Sequence, residues 1–477
     1  MKTTEQPNII LVMTDDQGWG DVAYNGNDVV RTPNLDAMSR EGVRLDRFYA
    51  AAPVCSPTRG SCLTGRHPFR YNMPWAGDGH LPHDEMTLAA ALKKGGYATG
   101  LFGKWHIGQL SKTVVQNEFG VPADPAHYAP PWVHGFDECC TTENMVPTYN
   151  PYYYDGGRLD TEGYTPVMDK PVEYGDTSGV RFPGDFPALY WTGPGQFVDE
   201  NIPGDDSGFV MDRSLDFLQR QLDSDVPAFA CVWFHAPHTP IVAGNDMRAL
   251  YPDLSMREQH WYGCLSALDH QVGRLREFLR KKGAAENTIL WFCSDNGPSW
   301  VHEMNSAGSF RGKKGSLYEG GIRVPSIVEW PARLQGESVV DAPIVTSDFF
   351  PTLLGAAGVE IDHAFALDGI DALPLLKGDR KERNAPIGFQ SPIKNPGSLR
   401  GITELLQMAW SDERHKLITM DSGETWALYD LIADPGETTD LSAEHPQTVE
   451  AMKEPLLQWS AACKTDAARL KNDSAKK

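Results

Sequence analysis

The sequence predicts an α/β protein: a large mixed, mostly parallel central sheet sandwiched by helices, with a small C-terminal α+β subdomain built on an antiparallel sheet. Three observations predict it. Apolar runs of strand length alternate with amphipathic helical stretches over most of the chain, four of those runs end in charged or metal-capable side chains, and the pattern changes near Arg380. Runs that are apolar on both faces mark strands buried inside a parallel sheet.

The elements follow in order. "PNIILVMTDD" is the first buried strand and ends in Asp15 and Asp16. "TPNLDAMSREG" is a helix with Thr32 as cap, Pro33 in its first turn and Gly42 at its end. Another helix begins within "CSPTRGSCLTGRHP", residues 55–68, where Pro57 suits a first turn whose N–H groups need no intrahelical partner. "HDEMTLAAALKKGGYATGLFGKWHIG" holds a helix closed by Gly95 and Gly96, then a strand running into Lys104 and His106. A helical stretch around "SGFVMDRSLDFLQRQLDS" precedes the strand in "VPAFACVWFHAPHTP", which ends in His235 and His238. A long helix spans about 255–282, with Trp261, Leu265, Leu268, Val272 and Leu275 at helical spacing. "NTILWFCSDNG" is the fourth buried strand and delivers Asp295 and Asn296; "GIRVPSIVEWP" is a fifth. Residues 111–204, poor in helical periodicity and rich in Pro, Gly, Tyr and Asp, read as an irregular substrate-facing insertion. Beyond "LKGDRKERNAP", hairpin strands in "RHKLITM" and "TWALYDLIADPGETTDLS" lead to a last helix near "PQTVEAMKEPLLQWSAACK". The expected division is therefore 1–380 and 381–477.

Composition narrows the function. The 477 residues suffice for a main domain and a smaller one. A formal net charge of −21 excludes a nucleic-acid binder and offers nothing to an anionic membrane surface. Any anionic substrate must be caught by a local basic pocket in an acidic body. No apolar run reaches the length of a membrane span, so no membrane insertion is expected. The N-terminal apolar stretch reads as a strand rather than a signal region. The expectation is either a periplasmic or secreted protein whose export signal is absent from this chain, or a cytoplasmic one. Eight cysteines without CxxC spacing indicate neither a zinc site nor a disulfide scaffold. The adjacent Cys139 and Cys140 are packing residues or one loop disulfide.

Parallel sheets bind ligands at the carboxyl ends of their strands, and four strands here end in functional groups at that one end. Alone, "DD" after a strand is a cap or a turn, and "SDNG" is an Asn-Gly turn. At strand ends of one sheet, Asp15, Asp16, Asp295 and Asn296 offer hard oxygen donors suited to Ca²⁺, with Mg²⁺ the alternative. Arg59, Lys104, His106, His238 and Lys314 outline a pocket that would neutralise a tetrahedral oxyanion. Cys55, at the start of a helix whose free N–H groups favour an anion, lies four residues before Arg59. A lone Cys/Arg pair would be a buried thiol beside an ordinary arginine; the rest of the set argues for a sulfate or phosphate ester.

These residues carry a resemblance. "CSPTRGSCLTGR" resembles the C-x-P-S/T-R signature of the type I, formylglycine-dependent sulfatases of the alkaline phosphatase superfamily. "IILVMTDDQGWGD", "RTPNLDAMSREGVRLDRFY", "GYATGLFGKWHIG", "HAPHTP", "FCSDNG" and "RGKKGSLYEGGIRVP" are similar to further blocks of that family, in its order, and "WALYDLIADPGETTDLS" to its C-terminal element. The resemblance covers nearly the whole chain and is weakest over 111–204. Thr58 stands where Ser is more usual and keeps the hydroxyl. The resemblance implies an alkaline phosphatase-like fold and a sulfuric ester hydrolase of arylsulfatase type. It implies that Cys55 is oxidised to formylglycine by a maturation enzyme, and that Asp15, Asp16, Asp295, Asn296 and position 55 hold Ca²⁺. Hydrolysis would then pass through a covalent sulfo-enzyme. His238, with Lys314, would protonate the leaving alcohol, His106 would take up the second hydroxyl's proton, and Arg59 and Lys104 would stabilise charge.

The leading substrate class is a sulfated carbohydrate. Arg70, His80, His83, Trp300 and His302 are candidates to contact a sugar or a neighbouring sulfate, and His235 a partner of His238. The tyrosines and tryptophans of "HYAPPWVHGFD", "PTYNPYYYDGG" and "ALYWTGPGQF" either stack on sugars or pack the insertion. A phosphonate or phosphate ester hydrolase of the same superfamily is the alternative. A catalytically dead glycan-binding protein fits less well, because no member of the machinery is missing.

Overall fold

The computed structural model describes residues 6–113, 124–151, 189–200, 202–299, 305–362, 366–394 and 402–474. Its strands are β1 (Asn8–Thr14), β2 (Val43–Leu45), β3 (Phe48–Tyr49), β4 (Ala98–Lys104), β5 (Glu138–Thr142), β6 (Trp191–Gly193), β7 (Gln196–Phe197), β8 (Ala228–Trp233), β9 (Thr288–Ser294), β10 (Ser326–Glu329), β11 (Ser338–Val340), β12 (Ile344–Val345), β13 (Ile387–Lys394), β14 (Ile402–Ser411), β15 (His415–Thr419) and β16 (Ala427–Asp430). The large sheet has the order β11-β2-β10-β9-β1-β8-β4-β5-β6-β7. Its centre, β9-β1-β8-β4-β5, is parallel throughout, and β10 and β6 flank it in antiparallel sense. This is the mixed, mostly parallel sheet the apolar runs predict.

Alternation along β1 shows why those runs are continuous. Ile9, Leu11 and Met13 enter one core while Ile10 and Val12 enter the other. Helices Leu88–Lys94 and Phe349–Ala357 cover the first face; Pro33–Glu41, Asp206–Asp223 and Met256–Lys281 cover the second. The long helix starts at a capping box, Ser255 exchanging hydrogen bonds with Glu258. After Arg380 the chain forms the four-stranded antiparallel sheet β13-β14-β15-β16 and the helix Pro446–Ser474. That sheet shares a core with the larger part: Phe389, Ala409 and Ile418 pack in one cluster with Tyr49, Leu317 and Val345.

Two details go beyond the sequence reading. The stretch 111–204 contributes a strand, β5, to the main sheet, registered with β4 at Lys104↔Thr142. Cys139 and Cys140 sit on β5, point into opposite cores and form no disulfide, which decides for packing. Among the described residues no helix is long and apolar enough to cross a membrane.

Candidate active site

Strand register assembles the site. Thr14 pairs with Ser294, and Met13 and Gly103 both pair with Trp233, so the residues that follow β1, β9, β8 and β4 emerge side by side. Asp15 and Asp295 are fully buried there, bridged by the fully buried Arg59. Arg59 Nε and Nη2 donate to Asp295 Oδ2 at 3.0 and 2.8 Å, Nη2 lies 3.5 Å from Asp15 Oδ2, and Nη1 donates to the Lys104 carbonyl at 3.0 Å. Lys104 Nζ donates to Asp15 Oδ2 at 2.5 Å. Asp16, held in the left-handed region at φ 64°, accepts at Oδ1 from Lys314 at 2.6 Å and from Asn296 Nδ2 at 2.7 Å. Gly297 follows because no side chain fits: a Cβ there would lie 2.0 Å from Gly320 O.

Cys55 is the first residue of the helix Cys55–Thr64, buried beside Asp15 and Asp295 with Sγ within 4.8 Å of both carboxylates. Burial pushes its thiol up, against the pull of Lys104 and Lys314, so the residue stands there as a protonated thiol and a poor nucleophile. Burial also acts on the carboxylates, yet Lys104, His238 and Arg59 outweigh it at Asp15, which is held below the usual range. At Asp295 burial and the adjacent Asp15 win, and the carboxyl is raised to about 6. The two opposite shifts arise from crowding like charges around shared cations.

His238 lies 3.6 Å from Asp16 Oδ2 through Nε2, and its Nδ1 is 2.6 Å from the Thr239 carbonyl, which fixes Nδ1 as a donor. His106, also at positive φ (57°), is driven below the usual imidazole range by burial and by Lys104, and its Nδ1 has no hydrogen-bond partner. Both left-handed residues adjoin the reactive centre, where backbone strain is commonly held.

The oxygen cluster fits a divalent cation. Asp15 Oδ1 and Asn296 Oδ1 are buried acceptors without a partner, and each such group left unsatisfied costs about 1–3 kcal/mol. Donor atoms of Asp15, Asp16 and His238, and of Asp15, Cys55 and Asp295, lie within 4.8 Å of one another, roughly twice the bond length to Ca²⁺.

The peripheral candidates fare differently. Arg70 is engaged within the protein: Nε and Nη2 donate to the Asp368 carboxylate, both at 2.7 Å, and Nη1 donates to Asp466 at 2.8 Å. His235 is also committed, Nδ1 to Asp206 at 2.8 Å and Nε2 to Thr142 Oγ1 at 2.6 Å, while Asp206 accepts the Tyr190 hydroxyl as well. Both of its ring nitrogens are engaged, whereas His238 Nε2 faces Asp16. His80 packs its ring 5.3 Å from His127, and exposed His83 contacts the Tyr128 carbonyl at 2.9 Å. Gly77, three residues before His80, adjoins His106, with a Cβ position 4.0 Å from Nε2. Trp300 and His302 lie outside the described residues, as do 114–123 and 152–188 of the insertion.

The sequence reading passed over Glu143. It follows β5 as Asp15 follows β1; its carbonyl accepts the His106 N–H at 3.1 Å, and its carboxylate the Leu110 N–H at 3.1 Å. A polar residue closing a short "CCTT" run was the available signal.

Comparison with known proteins decides the family. A model of the sulfatase family matches residues 7–359. The chain belongs to the sulfatase family. A model of the C-terminal region of N-sulphoglucosamine sulphohydrolase matches residues 310–462. Steryl-sulfatase of Mus musculus is 29% identical over 98% of this chain and 82% of its own length. N-acetylgalactosamine-6-sulfatase of Mus musculus is 32% identical over 80% of this chain and 68% of its own. The crystal structure of Ps i-CgsB in complex with k-i-k-neocarrahexaose superposes with a TM-score of 0.78 at 25% identity, covering 97% and 94% of the two chains. This sulfatase is therefore a sulfuric ester hydrolase with the alkaline phosphatase-like architecture.

Proposed function

We propose that this sulfatase removes sulfate from a carbohydrate, using formylglycine made from Cys55 by a maturation enzyme and Ca²⁺ held by Asp15, Asp16, Asp295, Asn296 and position 55. The carrying observation is the convergence of three carboxylates, three cations and the Cys55 side chain at the ends of four adjacent strands. The carbohydrate class is supported by the oligosaccharide bound in Ps i-CgsB and by the N-acetylgalactosamine-6-sulfatase relative.

Bound in this cluster, the cation would polarise a sulfate oxygen and acidify a hydroxyl of the hydrated aldehyde, a nucleophile the buried thiol does not supply. The chain's own residues divide the remaining work. Arg59 and Lys104 neutralise charge from a fully buried position, where such interactions are least screened. His238, its Nδ1–H fixed on the Thr239 carbonyl, directs Nε2 into the pocket, where the doubly protonated ring would donate the Nε2 proton to the departing alcohol, with the Lys314 ammonium beside it on Asp16. His106, kept neutral by burial and Lys104, accepts a proton released at position 55.

The test is sulfate release from a panel of defined sulfated saccharides, with steryl sulfate, 4-nitrophenyl sulfate and a phenylphosphonate ester as comparators. Mass spectrometry of the Cys55 peptide in the same preparation scores the aldehyde. Saccharide turnover above steryl sulfate by tenfold or more, with the aldehyde present, is expected. A hundredfold preference for the phosphonate overturns the sulfate assignment, and an unmodified thiol in an active preparation overturns the nucleophile.

A further inference from the structure

Lys314 reaches Asp16 from a loop between strands, so sheet register does not place it. Its backbone is tied to both halves of the site: the Lys314 N–H donates to Pro298 O at 2.9 Å, just beyond Asn296, and the Gly315 N–H to Pro53 O at 2.7 Å, just before Cys55. Gly315 takes φ 88°, a conformation open to glycine at little cost. The next anchor is a side chain from the C-terminal sheet. Gln407 on β14, 1% exposed, donates from Nε2 to Gly315 O at 2.6 Å and to Pro392 O at 3.3 Å, and its Oε1 accepts the Leu317 N–H at 2.9 Å. Both amide N–H groups and the amide oxygen are thus engaged.

We propose that Gln407 is a positioning residue that holds the Lys314 ammonium at the sulfate pocket, so that the C-terminal sheet completes the active site. This rests on reading Lys314 as a pocket cation. A lysine stem carries about 2 kcal/mol of rotamer entropy, and the peptide that launches it must be fixed if the ammonium is to be. A misplacement of about 1 Å at a reacting group costs on the order of a hundredfold in rate. The neutral amide fixes the turn without disturbing the balance between Asp15, Asp16 and Asp295 and the cations Arg59, Lys104 and Lys314. A carboxylate or an ammonium in its place would not.

A double-mutant cycle tests this, with Gln407→Ala and the space-filling Gln407→Met, each alone and combined with Lys314→Ala, on 4-nitrophenyl sulfate and 4-methylphenyl sulfate. Urea midpoints check that each variant folds. Either Gln407 substitution is expected to lower kcat about tenfold on the methylphenyl ester, with a smaller change in KM. The nitrophenyl ester, whose leaving group needs less protonation, should lose less. In the Lys314→Ala background neither Gln407 substitution should cost more than about twofold. Equal losses in both backgrounds, or an unchanged kcat in folded Gln407→Met, overturn the proposal. If the unsubstituted protein turns over neither ester, aryl sulfates are not its substrates and the cycle is read from sulfate binding instead. Calorimetric binding of inorganic sulfate then decides the positioning: weaker binding in Gln407→Met, matching Lys314→Ala, supports it, and unchanged binding overturns it.

Discussion

The helix Cys55–Thr64 stands between two buried ion clusters that use the same residue types to opposite ends. At its N-terminal end Arg59 meets Asp15 and Asp295, with the acceptors Asp15 Oδ1 and Asn296 Oδ1 left unpaired and the carboxyls driven apart, one lowered and one raised to about 6. Beyond its C-terminal end Arg66 pairs with Glu85 at 2.5 Å and Asp466 at 3.0 Å, and Arg70 grips Asp368 and Asp466. There burial pushes Asp368 up, but the hydrogen bonds from Arg70 outweigh it and hold the carboxylate ionised. Asp466 belongs to the helix Pro446–Ser474, so this second cluster fastens the C-terminal helix to the catalytic part. The difference lies at Arg70 and Asp368, where one guanidinium meets both carboxylate oxygens, although Glu85 in the same cluster keeps Oε2 unpartnered and is raised by burial. Acceptors met by rigid guanidinium forks make a clamp, whereas acceptors crowded and left incomplete make a place for a ligand.

The sharpest break of that comparison is Cys55→Ala. Removing the group that becomes the nucleophile should lower kcat/KM by on the order of 10⁴ or more, because members of a catalytic unit are worth far more together than singly. The urea midpoint should barely move. Activity within tenfold of the unsubstituted protein would sink the assignment. A paired substitution comes next. Arg59→Met should cut kcat/KM by about 10²–10³, as expected for loss of a buried charge-stabilising donor. Arg70→Met should leave kcat/KM of the folded protein within about threefold and lower its stability by about 2–3 kcal/mol. That is below the value for a fully buried pair, because Asp466 is partly exposed. Equal effects of the two on kcat/KM would erase the distinction between clamp and site.

Most of the site was legible because it hangs on sheet register. Once "TDD", "KWH", "HAPH" and "SDN" are read as ends of neighbouring parallel strands, Asp15, Lys104, His238 and Asp295 must converge. Arg70 lies eleven residues beyond Arg59 and outside the helix that carries it, because Gly65, at φ 69°, ends that helix and redirects the chain toward Asp368. Gly65 and Pro68 mark the helix end locally, but nothing local names the distant Asp368 and Asp466 as the partners of Arg70. His235 and His238 are three residues apart, and only the packing of Asp206 and Thr142 around the first decides which one faces the pocket. Strand β5 was hidden for a different reason. "ECCTT" is short and carries few strongly apolar residues, so it looks like the irregular chain around it, although its pairing with β4 is entirely regular.

That hidden strand supplies the smallest and most selective prediction, because Glu143 belongs to the strand-end region yet lacks the cations that surround Asp15. Burial raises its carboxyl from 4.5 to about 7, opposed by the single hydrogen bond from Leu110. The unfolded chain releases this proton near pH 4.5, while the folded chain keeps it to about 7. Between those values the unfolded state binds fewer protons, so stability falls as pH rises, and the loss is complete above the folded value. At about 1.36 kcal/mol per pH unit the full effect is bounded near 3 kcal/mol. Glu143→Gln keeps an acceptor for Leu110 and has no proton to lose. Its stability relative to the unsubstituted protein should be flat below pH 4.5, climb by about 2–3 kcal/mol up to pH 7, and level off above, as read from urea unfolding across that range. A difference independent of pH would mean that Glu143 is already ionised in the folded protein. The strand-end region would then hold a carboxylate stabilised without a matched cation, and the contrast with Asp368 and its arginine would no longer hold.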